Sequence, residues 1–173
     1  MATVQAAFRA HLGAGTSVPD LASRLNSTVL ENSGDEKFLT FFCAEVDRES
    51  GRISYVNAGH NPPLLVRAGG GVERLVSGGI ALGILPGVSF ALRNASLMPG
   101  DLLVLFSDGI TESQNLAQEE FGEDRFAALL ATLRDDPVET IQAKVFEAVG
   151  AFAGAAGQFD DITLVLVRRV RES

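Results

Sequence analysis

The chain has one cysteine and two histidines among its 173 residues. A lone cysteine, Cys43, excludes an internal disulfide framework and fits a reducing compartment, so a cytoplasmic location is expected. It lies in Phe38-Leu39-Thr40-Phe41-Phe42-Cys43-Ala44-Glu45-Val46, where it reads as buried filler rather than a nucleophile. With His11 and His60 the only imidazoles, a Ser-His-Asp triad or a Cys-His pair has few ways to assemble, and no serine sits in a Gly-x-Ser-x-Gly elbow. The phosphate-cradling patterns Gly-x-x-x-x-Gly-Lys-Ser/Thr and Gly-x-Gly-x-x-Gly are missing too; Gly69-Gly70-Gly71 and Gly78-Gly79 read as turns. No apolar run exceeds strand length, so no segment is expected to span a bilayer. Residues 1–12 carry no basic leader ahead of an apolar core, so no signal peptide is expected. Basic residues are outnumbered 14 to 22, and the net charge of −8 speaks against nucleic acid or an anionic membrane as a partner.

What remains is ordinary globular composition, 46% apolar and 21% charged, enough at this length for a single domain over residues 1–173 with a sizeable core. Val4, Ala7, Phe8, His11 and Leu12 form one stripe of an amphipathic helix over residues 3–12, with no cap at its start and His11 at the edge of the stripe. Gly13-Ala14-Gly15 ends it. Ser17 as N-cap and Pro19 in the first turn open a second helix with the face Leu21, Leu25 and Val29, closed by Asn32-Ser33-Gly34-Asp35. From Phe38 the period changes. Strands over 38–46 and 53–56 make a hairpin, and Leu64-Leu65-Val66 makes another with 72–76 across the three glycines. Residues 78–87 form an irregular glycine-rich connection, and 90–97 alternate imperfectly, as an edge strand does. After the strand 102–106 the chain is polar to about residue 120. One helix then carries Phe126, Leu129, Leu130 and Leu133, and another, opened by Asp136-Pro137, carries Val138, Ile141, Val145, Val149 and Phe152. A final strand covers 162–170. This order predicts an α+β fold in which antiparallel sheets joined by hairpins carry helices on their faces.

Chemistry concentrates around Leu102-Leu103-Val104-Leu105-Phe106-Ser107-Asp108-Gly109, a strand buried on both faces that runs into an acid. Asp108 is either a ligand held rigidly at a strand end or the cap of a turn, with Gly109 letting the chain turn through positive φ. Phe159-Asp160-Asp161 precedes the last strand. If the two strands are antiparallel neighbours, the end of one lies beside the start of the other, and the carboxylates converge at one sheet edge. Like charges that close need a cation or a shared proton, and all-oxygen donors suit Mg²⁺ or Mn²⁺ rather than zinc. The other reading is two independent loop aspartates capping turns. Glu112 either orients a metal-bound water or is an exposed glutamate at a helix start, and His60 is a loop residue within reach of a site.

Four ordered motifs carry a resemblance: Tyr55-Val56-Asn57-Ala58-Gly59-His60-Asn61-Pro62-Pro63-Leu64, Leu97-Met98-Pro99-Gly100-Asp101, Phe106-Ser107-Asp108-Gly109-Ile110-Thr111-Glu112 and Phe159-Asp160-Asp161-Ile162-Thr163-Leu164. In this order they resemble the bacterial SpoIIE/RsbU-type phosphatases of the PPM (type 2C) metal-dependent serine/threonine phosphatase family. The resemblance implies an α/β/β/α four-layer sandwich with a dinuclear Mn²⁺ or Mg²⁺ site at one end. It implies catalytic and metal-binding roles for Asp108 and Asp160, a metal-binding set completed by Gly109 and Asp161, and site-shaping roles for Asn57, His60 and Glu112. The implied activity is hydrolysis of phosphoserine or phosphothreonine on a STAS-type anti-anti-sigma partner by metal-activated water. The family normally begins with strands bearing a bridging Gly-Asp and then Gly-Asp-Val-Ser-Gly-Lys-Gly, and neither motif occurs here. The resemblance therefore covers about the C-terminal three quarters of the domain, with the N-terminal strands missing. One metal or none is expected in place of two. Exposed sheet edges favouring a homodimer are expected as well. The competing expectation is a non-catalytic interaction module; a different metal hydrolase with the same aspartates conflicts with the four motifs.

Overall fold

The apolar periodicities become two helix-on-sheet units in the computed structural model of the chain, which describes residues 2–12, 15–32, 38–76, 79–157 and 160–170. In chain order the elements are α1 (Ala2–His11), α2 (Val18–Asn32), β1 (Phe41–Val46), β2 (Arg52–Ala58), β3 (Leu64–Val66), β4 (Val72–Arg74), β5 (Arg93–Ser96), β6 (Leu102–Phe106), α3 (Asp108–Thr111), α4 (Glu123–Leu133), α5 (Val138–Ala153) and β7 (Leu164–Arg168), with a 3-10 turn at Gly154–Ala156. The expected α+β class, antiparallel sheets with helices, is the one found. Among the described residues no helix is long and apolar enough to cross a membrane.

Unit 1 comprises Met1–His60 and Val76–Ser96. Ser17 caps α2 as expected: its hydroxyl accepts the Asp20 N–H at 3.2 Å and donates to the Asp20 carboxylate at 2.6 Å. Val18, Leu21, Ala22, Leu25 and Val29 bury one helix face against Val56, Ala58, Leu82 and Phe90, with Val4, Ala7 and Phe8 of α1 packed alongside. The sheet is antiparallel in the order β1-β2-β5. Two strands are shorter than their sequence pattern. β1 begins at Phe41 because Leu39 exchanges its N–H and C=O with Leu82 instead, each at 2.9 Å. β5 pairs only over Arg93–Ser96, and Phe90 buries its ring without joining the ladder. The expected stops at Gly13-Ala14, Ser33-Gly34-Asp35 and Gly78 lie outside the described residues, as does Phe159.

Unit 2 comprises Asn61–Leu75 and Leu97–Ser173. Its antiparallel sheet has the order β4-β3-β6-β7, so the apolar strand β6 is internal. Leu64, Val66, Leu102, Val104 and Phe106 face one core with Phe126, Leu130 and Leu133 of α4 and Ile141, Val145 and Val149 of α5. Each such side chain contributes about 1.5–3 kcal/mol by leaving water. Phe106 and Phe126 meet edge to face at 5.0 Å. Leu65 and Leu103, pointing the other way, are buried too, which confirms a strand covered on both faces.

The start of β6 is fixed by a buried acid. Asp101 is 3% exposed and accepts from Arg67 Nη1 at 2.6 Å, from the Ala68 N–H at 2.9 Å and from the Met98 N–H at 3.0 Å. Burial alone would raise its carboxyl, but these donors outweigh burial and hold it below the ordinary aspartate range. Arg67 also grips Glu73 across the β3–β4 hairpin at 2.7 Å.

Candidate metal centre

The opposite end of β6 holds the acids singled out above. β6 and β7 are antiparallel neighbours with Phe106 opposite Leu164, so residues 107–109 leave the sheet beside residues 160–163. The antiparallel pairing of β6 with β7 is therefore present within unit 2. The Ser107 N–H donates to the Thr163 carbonyl at 3.0 Å. The Thr163 N–H donates to Ser107 Oγ at 2.9 Å, and that hydroxyl donates to the Asp161 carbonyl at 2.9 Å. Gly109 is buried against the same strand: a Cβ there would stand 2.5 Å from the Asp161 carbonyl oxygen and 3.5 Å from the Asp160 carbonyl carbon. Its role differs from the sequence expectation. Gly109 is helical, not at positive φ, and glycine is required there by close approach.

Asp108 opens α3, a single helical turn, with its carboxylate exposed and Oδ1 accepting the Gly109 N–H at 3.0 Å. Asp160 and Asp161 are exposed, and Asp160 Oδ1 accepts the Asp161 N–H at 2.7 Å. Both bonds are to the next residue in the chain. Glu112 is exposed at the C-terminal end of α3, where its N–H donates to the Asp108 carbonyl at 2.8 Å. It does not start a helix, as its sequence position suggested, because α3 forms one turn upstream of it.

Asn57 and His60 belong to unit 1. Asn57 is 2% exposed and clasps the turn after β2: its Nδ2 donates to the His60 carbonyl at 3.0 Å, and the His60 N–H donates to its Oδ1 at 2.8 Å. Gly59 takes the turn at φ +74°, and Gly79 packs so near that a Cβ would fall 2.2 Å from the Asn57 carbonyl oxygen. The His60 ring nitrogen Nδ1 lies 3.4 Å from Thr40 Oγ1.

The donor chemistry at the joined strand ends is oxygen only, the kind hard divalent cations take, with water able to complete the shell. Among the described residues no group of three or more His, Cys, Asp or Glu side chains is placed to hold a metal ion. Sequence reasoning missed Ser107 and Asp101 as organising residues. Ser107 looked like part of a turn, and the partner of Asp101 stands 34 residues away.

A family model described as Stage II sporulation protein E (SpoIIE) matches residues 1–170. Protein IcfG of Synechocystis sp. is 32% identical over 145 residues, 83% of this chain and 23% of that protein. Phosphoserine phosphatase RsbU of Bacillus subtilis is 33% identical over 89 residues, 51% of this chain and 27% of that protein. The chain thus spans about a quarter of the length of these curated relatives. Among solved structures, the RsbU and RsbW domains of Rv1364c from Mycobacterium tuberculosis superpose with a TM-score of 0.83 at 27% identity, covering 98% of this chain and 47% of that one.

Proposed function

The chain belongs to the SpoIIE family, and on that premise we propose that it removes phosphate from phosphoserine or phosphothreonine on a regulatory protein, a STAS-type anti-anti-sigma factor, in the cytoplasm. The observation that carries this reading is the β6–β7 register, in which residues 107–109 leave the sheet alongside residues 160–163, and it supports a shared role for the exposed Asp108, Asp160 and Asp161. The name of the relative RsbU, a phosphoserine phosphatase, supports the substrate class. On this reading residues 1–173 act as one phosphatase domain, and the outer edge of β7 is where a second copy would pair.

Asp108 and Asp160 are the proposed catalytic pair; with Asp161 and the main chain of Gly109 they would hold one Mn²⁺ or Mg²⁺. Such an ion, when bound, supplies charge neutralisation at phosphate and an acidified water. The chain's own part is to bind and orient. The sheet fixes the acids at strand ends, and their exposure leaves them reachable by a phosphorylated loop. Glu112 anchors the turn below Asp108, while Asn57 and His60 shape the turn after β2. No protein nucleophile is required. Cys43 is half-buried, and burial first, then the charge of Glu45, push its thiol up and keep it protonated.

The test is turnover of p-nitrophenyl phosphate with Mn²⁺ by the chain and by Asp108→Asn. A rate above background that Asp108→Asn abolishes is expected; equal rates, both above background, would remove Asp108 from the mechanism. The absence of a three-ligand group among the described residues favours a second reading, a module that binds its partner without catalysis. Calorimetric titration separates the two, since no Mn²⁺ binding at millimolar metal leaves only the interaction module.

A further inference from the structure

We propose that Ser107 is the positioning residue of this site, its hydroxyl setting the spacing between Asp108 and the Asp160-Asp161 pair. The proposal rests on the reading of those aspartates as cation ligands. A serine just before a helix ordinarily turns its hydroxyl onto the first free N–H groups of that helix. Ser107 stands at the N-cap of α3 and makes no such bond. Its hydroxyl is diverted across the sheet end to partners 54 and 56 residues away, donating to the Asp161 carbonyl and accepting from the Thr163 N–H, both at 2.9 Å.

The diversion spends both the donor and an acceptor of one hydroxyl on the segment that carries Asp160. The Asp161 carbonyl is then held from two sides, by Ser107 Oγ at 2.9 Å and by the bare Cα side of Gly109, where a Cβ would come within 2.5 Å. Because Asp108 follows Ser107 directly and Asp160 precedes Asp161 directly, the clamp lies on Asp161 itself and one residue from Asp108 and from Asp160. A ladder bond alone, Ser107 N–H to the Thr163 carbonyl at 3.0 Å, would join the strands without fixing residues 160 and 161. Losing a group that orients metal ligands from behind typically costs about 10–100-fold in metal affinity or activity. Threonine preserves the clamp, since Ser107 is extended at φ −86° and ψ 161°, a conformation that β-branched residues accept.

The experiment compares the wild-type chain, Ser107→Ala and Ser107→Thr by amide hydrogen exchange at Thr163 without metal and by calorimetric Mn²⁺ affinity. In Ser107→Ala, Thr163 exchange should rise roughly three- to tenfold as its acceptor is lost, and Mn²⁺ affinity should fall about tenfold or more. Ser107→Thr should restore both. A merely structural serine would lower the melting temperature and leave the affinity unchanged, and that result overturns the proposal. Unchanged exchange at Thr163 in Ser107→Ala also overturns it, whatever the metal does. If the wild-type chain binds no Mn²⁺, the ligand reading fails on its own, and the exchange comparison still decides for or against the clamp.

Discussion

Asp101 and Asp108 stand at opposite ends of the same five-residue strand, β6, and the protein treats their carboxylates in opposite ways. Asp101 is buried, ion-paired to Arg67 and bonded by two backbone N–H groups. Asp108 is exposed, and its recorded side-chain bond is to the adjacent Gly109 N–H. An acid whose lone pairs are filled by the protein is a fastener. An acid left open at a rigid point is available to a cation. Sequence alone offers the same residue type at both ends, and the distinction comes from the donors that the β3–β4 hairpin brings to one end only.

The sharpest way to break this contrast is Asp101→Ala, which leaves Arg67 and two N–H groups without their acceptor and should cost about 3 kcal/mol in urea unfolding. Metal affinity at the far end should survive in the fraction that stays folded. Gly109→Ala should come next, at about 1–3 kcal/mol, because the added methyl must push the Asp161 carbonyl away. Here Mn²⁺ affinity should drop along with stability, and calorimetry checks it. The pH dependence is a subtler probe. The Asp101 carboxyl is held below its ordinary value of 3.8, so its stabilisation is fully present well above that value and is lost as pH falls through it toward the lowered folded value. Wild type should therefore lose more stability than Asp101→Asn between about pH 5 and pH 2 in acid titrations followed by circular dichroism. The smallest effect is expected for Arg74→Gln, which removes solvent-exposed pairs with Glu123 and Asp124 and should change stability by less than about 1 kcal/mol.

Much of this arrangement was legible in the residues. The helical stripe of α2, its Ser17 cap, the buried run of β6 and the pairing that brings residues 107–109 alongside 160–163 all follow from local pattern plus one antiparallel pairing. Three features did not. α3 is a single turn with one buried side chain of size, Ile110, too short for any periodicity to register. β7, expected over 162–170, forms over Leu164–Arg168, and at its start the Thr163 N–H is taken by a serine hydroxyl and not by a backbone carbonyl. Gly109 was read as a conformational device, when a steric limit set by a segment some fifty residues away is what demands it. In each case the deciding partner is remote in sequence or the element is shorter than one period.

The placement of two unlike acids on one strand has a consequence for how this chain can change in length. Strand residues advance about 3.4 Å each and alternate faces, so adding or deleting one residue in β6 would turn Leu102, Val104 and Phe106 out of their core and shift Asp108 against Asp160 together. The exposed glycines 69–71 at the tip of the β3–β4 hairpin carry no such constraint, and an insertion there lengthens a solvent loop at little cost. Insertions and deletions accumulated by relatives of this chain should therefore fall at that hairpin tip and spare the interval from Asp101 to Asp108, a spacer of fixed length between a fastener and the proposed site.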